Sequence, residues 1–253
     1  MKMPALFVGH GAPMNAVEDN AFARKWLELG RSLPRPKAIL CISGHWVEHG
    51  VCATASDHPS TYHDFYGFPQ DYYTLRYPAP GDPALAARLS EVLATPVRLD
   101  GERGLDHGVW AVLIRMYPEA DVPVVQLGLD ADRPLAAHYE LARRLDPLRD
   151  EGVLVMGSGN IVHNLSMFRL GNAAPADWAL RFDAKVRALV AADDVEALAN
   201  PCALGNDARL SVPTAEHYVP LLYAMAVRRP DDTLTFFNES VSSTVSMTSF
   251  LLQ

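Results

Sequence analysis

The sequence predicts a single α/β domain with a mostly parallel or mixed central sheet flanked by helices. Three observations carry that prediction. Short continuous apolar runs, the pattern of strands buried on both faces, alternate along the chain with longer segments of helical periodicity. Several of these runs give way to small-residue loops that carry a histidine, at the strand ends where open α/β sheets bind ligands. The 253 residues contain no repeat, low-complexity tract or linker, so one catalytic domain over 1–253 accounts for the chain.

Ala5–Val8 and Ala38–Ser43 read as the first two strands. Between them Phe22, Trp26, Leu29 and Leu33 recur at helical spacing over Ala21–Leu33, and Pro34 ends that helix. Val51–Ala55 is another short strand. Asp82 as N-cap and Pro83 at the first helical position open a helix over Pro83–Leu93. Val109–Tyr117 reads as a helix stopped by Pro118, followed by a strand at Val122–Leu127, a helix at Pro134–Leu148 and a strand at Val153–Met156. Ala176–Ala192 is a long amphipathic helix, and Thr233–Phe237 a late strand.

Composition narrows the function. The formal net charge is −8 and no Lys/Arg block exceeds a pair, which argues against nucleic acid or an anionic membrane as partner. No segment approaches the ~18 apolar residues a membrane span needs. The N-terminal apolar run is too short for a signal peptide and is broken by Gly9 and His10. Cys41, Cys52 and Cys202 form no CxxC pair, which argues against a zinc ribbon or a disulfide framework and fits a reducing cytoplasm. The expected partner is a small molecule, bound by a monomer or small homo-oligomer.

The histidines carry the chemistry. His10 stands between Gly9 and Gly11 directly after the first strand, and His45 follows Ser43 and Gly44 after the second. Imidazole is the commonest metal ligand, and neighbouring parallel strands that each end in Gly-His would set two of them side by side. His217 lies near a helix start set by Thr214 or Pro220, and Glu216 beside it is a rival ligand, since two histidines and a carboxylate form the non-haem Fe(II) set. His163 follows Gly157, Ser158 and Gly159. That loop could cradle phosphate, but no Gly-Lys-Ser/Thr and no complete GxGxxG accompanies it. His163 therefore reads as a base beside a metal or as a fourth ligand. His107 heads a helix, where Asp106 could orient its imidazole.

The other candidates concern substrate. His63 and Phe65 belong to a stretch unusually rich in aromatics, reaching Tyr72, Tyr73 and Tyr77, which could wall a flat ring by stacking. Tyr218, next to His217, is a further substrate contact. Arg76, Arg103 and Arg115 could each meet a substrate carboxylate or lie in surface ion pairs. His138 reads as an ordinary helix-face residue, and His49 and His58 as loop residues.

GHGAPMN, SGHWV, TYHDFYGFPQDYY, RYPAPGDP, LDHGVWAVLIRMYP, GSGNIVHNL and PTAEHYVPLLY, in that order, resemble the DOPA 4,5-dioxygenase-type branch of the class III (LigB-like) extradiol ring-cleavage dioxygenases. The resemblance runs from residue 4 to about 225. It implies a single α/β domain holding a non-haem metal through His10, His45 and His217. It also implies His163 as the active-site acid/base, counted in some members among the metal ligands, and His107 as a second active-site histidine. In the wider superfamily the third ligand is a glutamate, which keeps Glu216 in view. Ala12, where many relatives carry serine, and Gly44, where many carry alanine, remove no ligand and bear on substrate preference instead.

The implied chemistry agrees with the residues. A catechol offers two adjacent oxygens to an open-faced metal, and a neutral histidine can take a phenolic proton and return it during ring opening. Activation of O2 needs a metal able to share electrons, which Fe(II) can do. Zn(II) would occupy three histidines readily but is redox-silent. Two other readings use the same residues: a zinc-dependent hydrolase, and a non-catalytic binding member of the superfamily. The presence of His107 and His163, which mere binding does not need, argues against the latter.

Overall fold

Aliphatic runs without a polar side must be covered on both faces, and the computed structural model, which describes residues 2–169 and 173–253, places them at the centre of one sheet. The strands are β1 (Ala5–Gly9), β2 (Ala38–Glu48), β3 (Val51–Thr54), β4 (Val97–Asp100) and β5 (Val124–Asp130). They continue with β6 (Val153–Gly159), β7 (Leu234–Phe237), β8 (Val241–Ser242), β9 (Val245–Ser246) and β10 (Ser249–Leu252). Eight of them form a sheet of order β4-β3-β5-β2-β6-β1-β10-β7, while β8 and β9 pair separately. The central β5, β2, β6 and β1 are mutually parallel, with β3 and β10 antiparallel to their inner neighbours. The sheet is mixed, with a parallel heart.

Alternate residues of the central strands feed two apolar layers. Leu6, Val8, Ile39, Cys41, Leu154 and Met156 pack with Trp26 and Trp110 of the helices Ala21–Ser32 and His107–Met116. Phe7, Leu40, Ile42 and Val155 pack on the other side, with the helices Pro83–Val92, Leu135–Ala142, Asp177–Ala192 and Val219–Ala226. The predicted start at Asp82 holds: its carboxylate accepts the Leu85 N–H at 2.9 Å, with Pro83 in the first turn. Among the described residues no helix is long and apolar enough to cross a membrane.

Several expectations change. The second strand does not stop at Ser43; it continues through His45 to Glu48, with a register shift between Ile42 and Val47. His45 thus projects from a distorted stretch of strand, the kind of irregularity that re-aims a side chain beside a site. Nor are β1 and β2 neighbours, because β6 is inserted between them. The single helix expected over 134–148 is broken into Leu135–Ala142, a 3-10 turn Arg143–Leu145 and Asp146–Glu151, where Pro147 has no N–H to continue the ladder. Val97–Asp100 and Ser249–Leu252 are strands that the apolar pattern did not single out.

The glycines of β6 have a packing task. A Cβ at Gly159 would lie 2.1 Å from the His217 carbonyl oxygen, and one at Gly157 would lie 2.1 Å from that of Pro220. These positions let the segment carrying His217 lie directly on β6, where the Asn160 N–H donates to the His217 carbonyl at 2.8 Å. Gly-Ser-Gly is thus a close-approach device rather than a phosphate cradle. Gly159→Ala is expected to cost about 1–3 kcal/mol by overpacking and to displace His217. Metal analysis of the folded fraction checks this, and unchanged stoichiometric zinc would refute it.

Candidate active site and metal centre

The carboxyl ends of β1 and β6, the distorted part of β2 and the turn before the helix Val219–Ala226 meet at one place. There His10, His45 and His217 turn their Nε2 atoms toward a common point. His45 Nε2 is 3.0 Å from His10 Nε2 and 3.2 Å from His217 Nε2, and the three potential ligand atoms lie within 4.8 Å of one another. His10 and His217 are buried, and His45 is nearly so.

The groups behind each ring set its tautomer. Ser158 Oγ donates its proton to the Gly108 carbonyl, so it accepts from His10 Nδ1–H at 2.9 Å. Glu216 Oε1 lies 3.2 Å from His217 Nδ1, and Asp64 Oδ2 lies 3.0 Å from His45 Nδ1. Carboxylates only accept, so these partners favour a proton on Nδ1 of each ring and an Nε2 lone pair aimed inward. Three converging lone pairs repel unless a cation lies among them. Three imidazoles with oriented outer nitrogens make a donor set suited to a divalent first-row metal. The residues fit such an ion.

Electrostatics keep the cluster neutral. Burial, reinforced by the other histidines, holds His10 well below its ordinary pKa. Burial takes His217 to about 4 against the opposing pull of Glu216, and takes His163 to about 3. His45 is the exception: burial would lower it, but the carboxylates of Asp64, Asp106 and Glu216 raise it above the ordinary value. Glu216 is pushed up by burial yet brought down to about 2, chiefly by its hydrogen bond to His217. Thr214 also donates to its Oε1, at 2.8 Å. Glu216 thus engages the outer nitrogen of His217, away from the point where the Nε2 atoms meet.

His107 opens the helix His107–Met116, as expected, but Asp106 does not orient it. The Asp106 carboxylate is fully buried and accepts from Ser43 Oγ at 2.8 Å and from the Gln126 side-chain amide, donors on β2 and β5 that face it. Asp64 takes the orienting place. Its Oδ1 accepts both the ring Nδ1–H and the backbone N–H of His107, each at 2.9 Å. His163 stacks on His217 with ring centroids 3.6 Å apart and planes at 10°. Its ring nitrogens make no hydrogen bond to the described residues. The possible metal-binding set that includes it is a different one, with Glu216 and His217.

The aromatic stretch does reach the site. Phe65 stands edge-on to His107 with centroids 5.7 Å apart and is backed by Phe68, Tyr73 and Trp110. His63 packs on Phe65 and Trp110, while its Nε2 is bound to the Leu75 carbonyl at 3.1 Å. Tyr218 lies elsewhere: it is fully buried in the core near Phe182, because its neighbour His217 takes the direction toward the metal point. Arg76 and Arg115 bind backbone carbonyls, and Arg103 sits against Trp46 and Tyr62 with one nitrogen on the His45 carbonyl. His138 is on a helix face, as expected, but on its buried side. It bonds to the Tyr223 hydroxyl and the Asp130 carbonyl and is satisfied there.

Compared with known proteins, residues 4–242 match the family model described as the catalytic LigB subunit of aromatic ring-opening dioxygenase. The chain is 49% identical over 245 residues to the 4,5-DOPA dioxygenase extradiol of Escherichia coli (strain K12), covering 95% of this chain and 90% of that one. It is 38% identical over 226 residues to the 4,5-DOPA dioxygenase extradiol of Beta vulgaris, covering 87% and 84% of the two. The crystal structure of an uncharacterized protein from Escherichia coli K12 superposes with a TM-score of 0.87 at 42% identity, over 100% of both chains.

Proposed function

The chain belongs to the LigB family of aromatic ring-opening dioxygenases and is an extradiol dioxygenase; we propose that it opens the ring of a DOPA-like catechol and that His10, His45 and His217 hold Fe(II) for this purpose. The observation that carries the metal assignment is the convergence of three Nε2 atoms whose rings are oriented from behind by Ser158, Asp64 and Glu216. Family membership takes the footing from the hydrolase and binding-only readings.

When bound, Fe(II) would let electrons pass from the catechol to O2 and would offer open positions to two adjacent phenolic oxygens. The protein does the rest. Phe65, with Tyr73 and Trp110 behind it, offers an apolar wall for a flat ring beside His107. His163, neutral at working pH, accepts a phenolic proton at a free ring nitrogen and returns it as the ring opens. His107 keeps its Nδ1–H on Asp64 and presents Nε2 to the reacting oxygens.

Oxygen uptake by anaerobically Fe(II)-loaded protein, mixed with a panel of catechols including DOPA and protocatechuate, tests the proposal. Stoichiometric uptake with a yellow ring-opened product is expected from the iron sample and not from a zinc-loaded one, since Zn(II) has no redox chemistry. Equal turnover with zinc, or none with any catechol at full iron occupancy, would overturn it.

A further inference from the structure

The Asp64 side chain faces two of the site histidines, His45 and His107, at once. Its Oδ1 accepts from His107, and its Oδ2, buried and without a hydrogen bond, lies 3.0 Å from His45 Nδ1 as an ion-pair contact. The two rings stand with centroids 4.0 Å apart, so a single carboxylate serves both. Its segment is anchored at Tyr62, whose N–H donates to the Leu105 carbonyl at 2.8 Å and whose carbonyl accepts from Trp110 Nε1 at 3.0 Å. The next residue is Phe65, which forms the aromatic wall.

We propose that Asp64 is a positioning residue whose carboxylate holds His45 and His107 in the same tautomer at once, tying the metal point to the substrate-side histidine and its aromatic wall. The proposal rests on His45 being a ligand, as argued above. Oδ1 takes the His107 Nδ1–H and Oδ2 faces His45 Nδ1 at 3.0 Å, an arrangement that favours the Nδ1–H form of both rings and a bare Nε2 on each.

An amide cannot do this. In Asp64→Asn the one acceptor oxygen is claimed by the two N–H donors of His107, and the NH2 then faces His45 Nδ1, donor against donor. His45 can relieve the clash only by moving its proton to Nε2, which withdraws a ligand from the metal point. Calorimetric Zn(II) titration is expected to show a 10–100-fold loss of affinity for Asp64→Asn, with partial recovery in Asp64→Glu. Nitrogen-15 NMR of the metal-free protein should show the His45 proton on Nδ1 in the parent and on Nε2 in the Asn variant. A merely structural role would leave that tautomer signal unmoved.

An Asn variant that binds zinc like the parent and keeps His45 Nδ1–H overturns the inference while leaving the ligand assignment intact. A parent that binds no stoichiometric zinc overturns the ligand assignment and this inference with it. Should the Asn variant not fold, Asp64→Ser, which removes both carboxylate acceptors, carries the same test.

Discussion

Replacing His163 with alanine is expected to leave metal content unchanged and to lower turnover by about 10²–10⁴-fold, the range a positioned acid/base group contributes. The inner set of His10, His45 and His217 is complete without it. His163 instead lies flat against His217, which orients the ring by stacking while leaving both nitrogens free of hydrogen bonds to the described residues. Burial and the neighbouring histidines lower its pKa to about 3, so the imidazole is neutral near pH 7, the form in which a ring nitrogen is free to take a proton. Metal analysis together with oxygen uptake on an iron-loaded variant separates the possible roles. Intact metal with lost turnover fits the base; loss of the metal as well would make His163 a ligand. Unchanged turnover would remove it from the chemistry altogether.

Much of this site was legible in the sequence because its histidines sit next to structural punctuation. His10, His45, His107, His163 and His217 all adjoin glycine loops, strand ends or helix starts, and all five fall in one cluster. What lay behind them was less visible. Asp64 is embedded in an aromatic run whose pattern advertises a surface wall, and nothing in its spacing connects it to residues 45 and 107. Asp106, adjacent to His107, was the natural local choice, but donors from β2 and β5 claim it. Ser158 reads as part of a glycine-rich loop, and its role depends on β6 lying next to β1, a strand order that chain order does not reveal. Acids near a histidine in sequence are visible; acids brought there by a long connection are not. The edge of the fold hid for a different reason: Ser249–Leu252 is a four-residue strand whose apolar run is too short to stand out, although it pairs with β1 and is buried throughout.

Arg149→Met is expected to destabilise the fold by about 3–5 kcal/mol, the cost of breaking a buried ion pair by removing one partner. Arg149 is wholly inaccessible, and its guanidinium reaches four separate parts of the chain. Nε donates to the Met3 carbonyl at 2.7 Å and Nη1 to the Val227 carbonyl at 2.6 Å. Nη2 reaches the Leu252 carbonyl at 3.4 Å, and both terminal nitrogens bind Asp232 at 2.7 and 2.8 Å. Methionine fills a similar volume but supplies no donor, leaving these carbonyls short of partners. Asp232 would retain Lys2 at 2.8 Å and the Arg229 N–H at 2.7 Å, which sets the expectation nearer the lower figure. The same pair gives stability a pH dependence of known sign. Burial would push the Asp232 carboxyl up, but hydrogen bonds from Arg149, Lys2 and the Arg229 N–H outweigh it and hold the pKa well below the carboxylate range. Its stabilisation is therefore complete above the unfolded value of about 4 and declines as pH falls toward the folded one. Urea unfolding of parent and variant should show the full gap at pH 7 and a narrowing gap below about pH 4, with Arg149→Met/Asp232→Leu recovering part of the loss. A gap under about 1 kcal/mol at pH 7 would mean that the two chain ends are held by β1–β10 pairing alone, without this clamp.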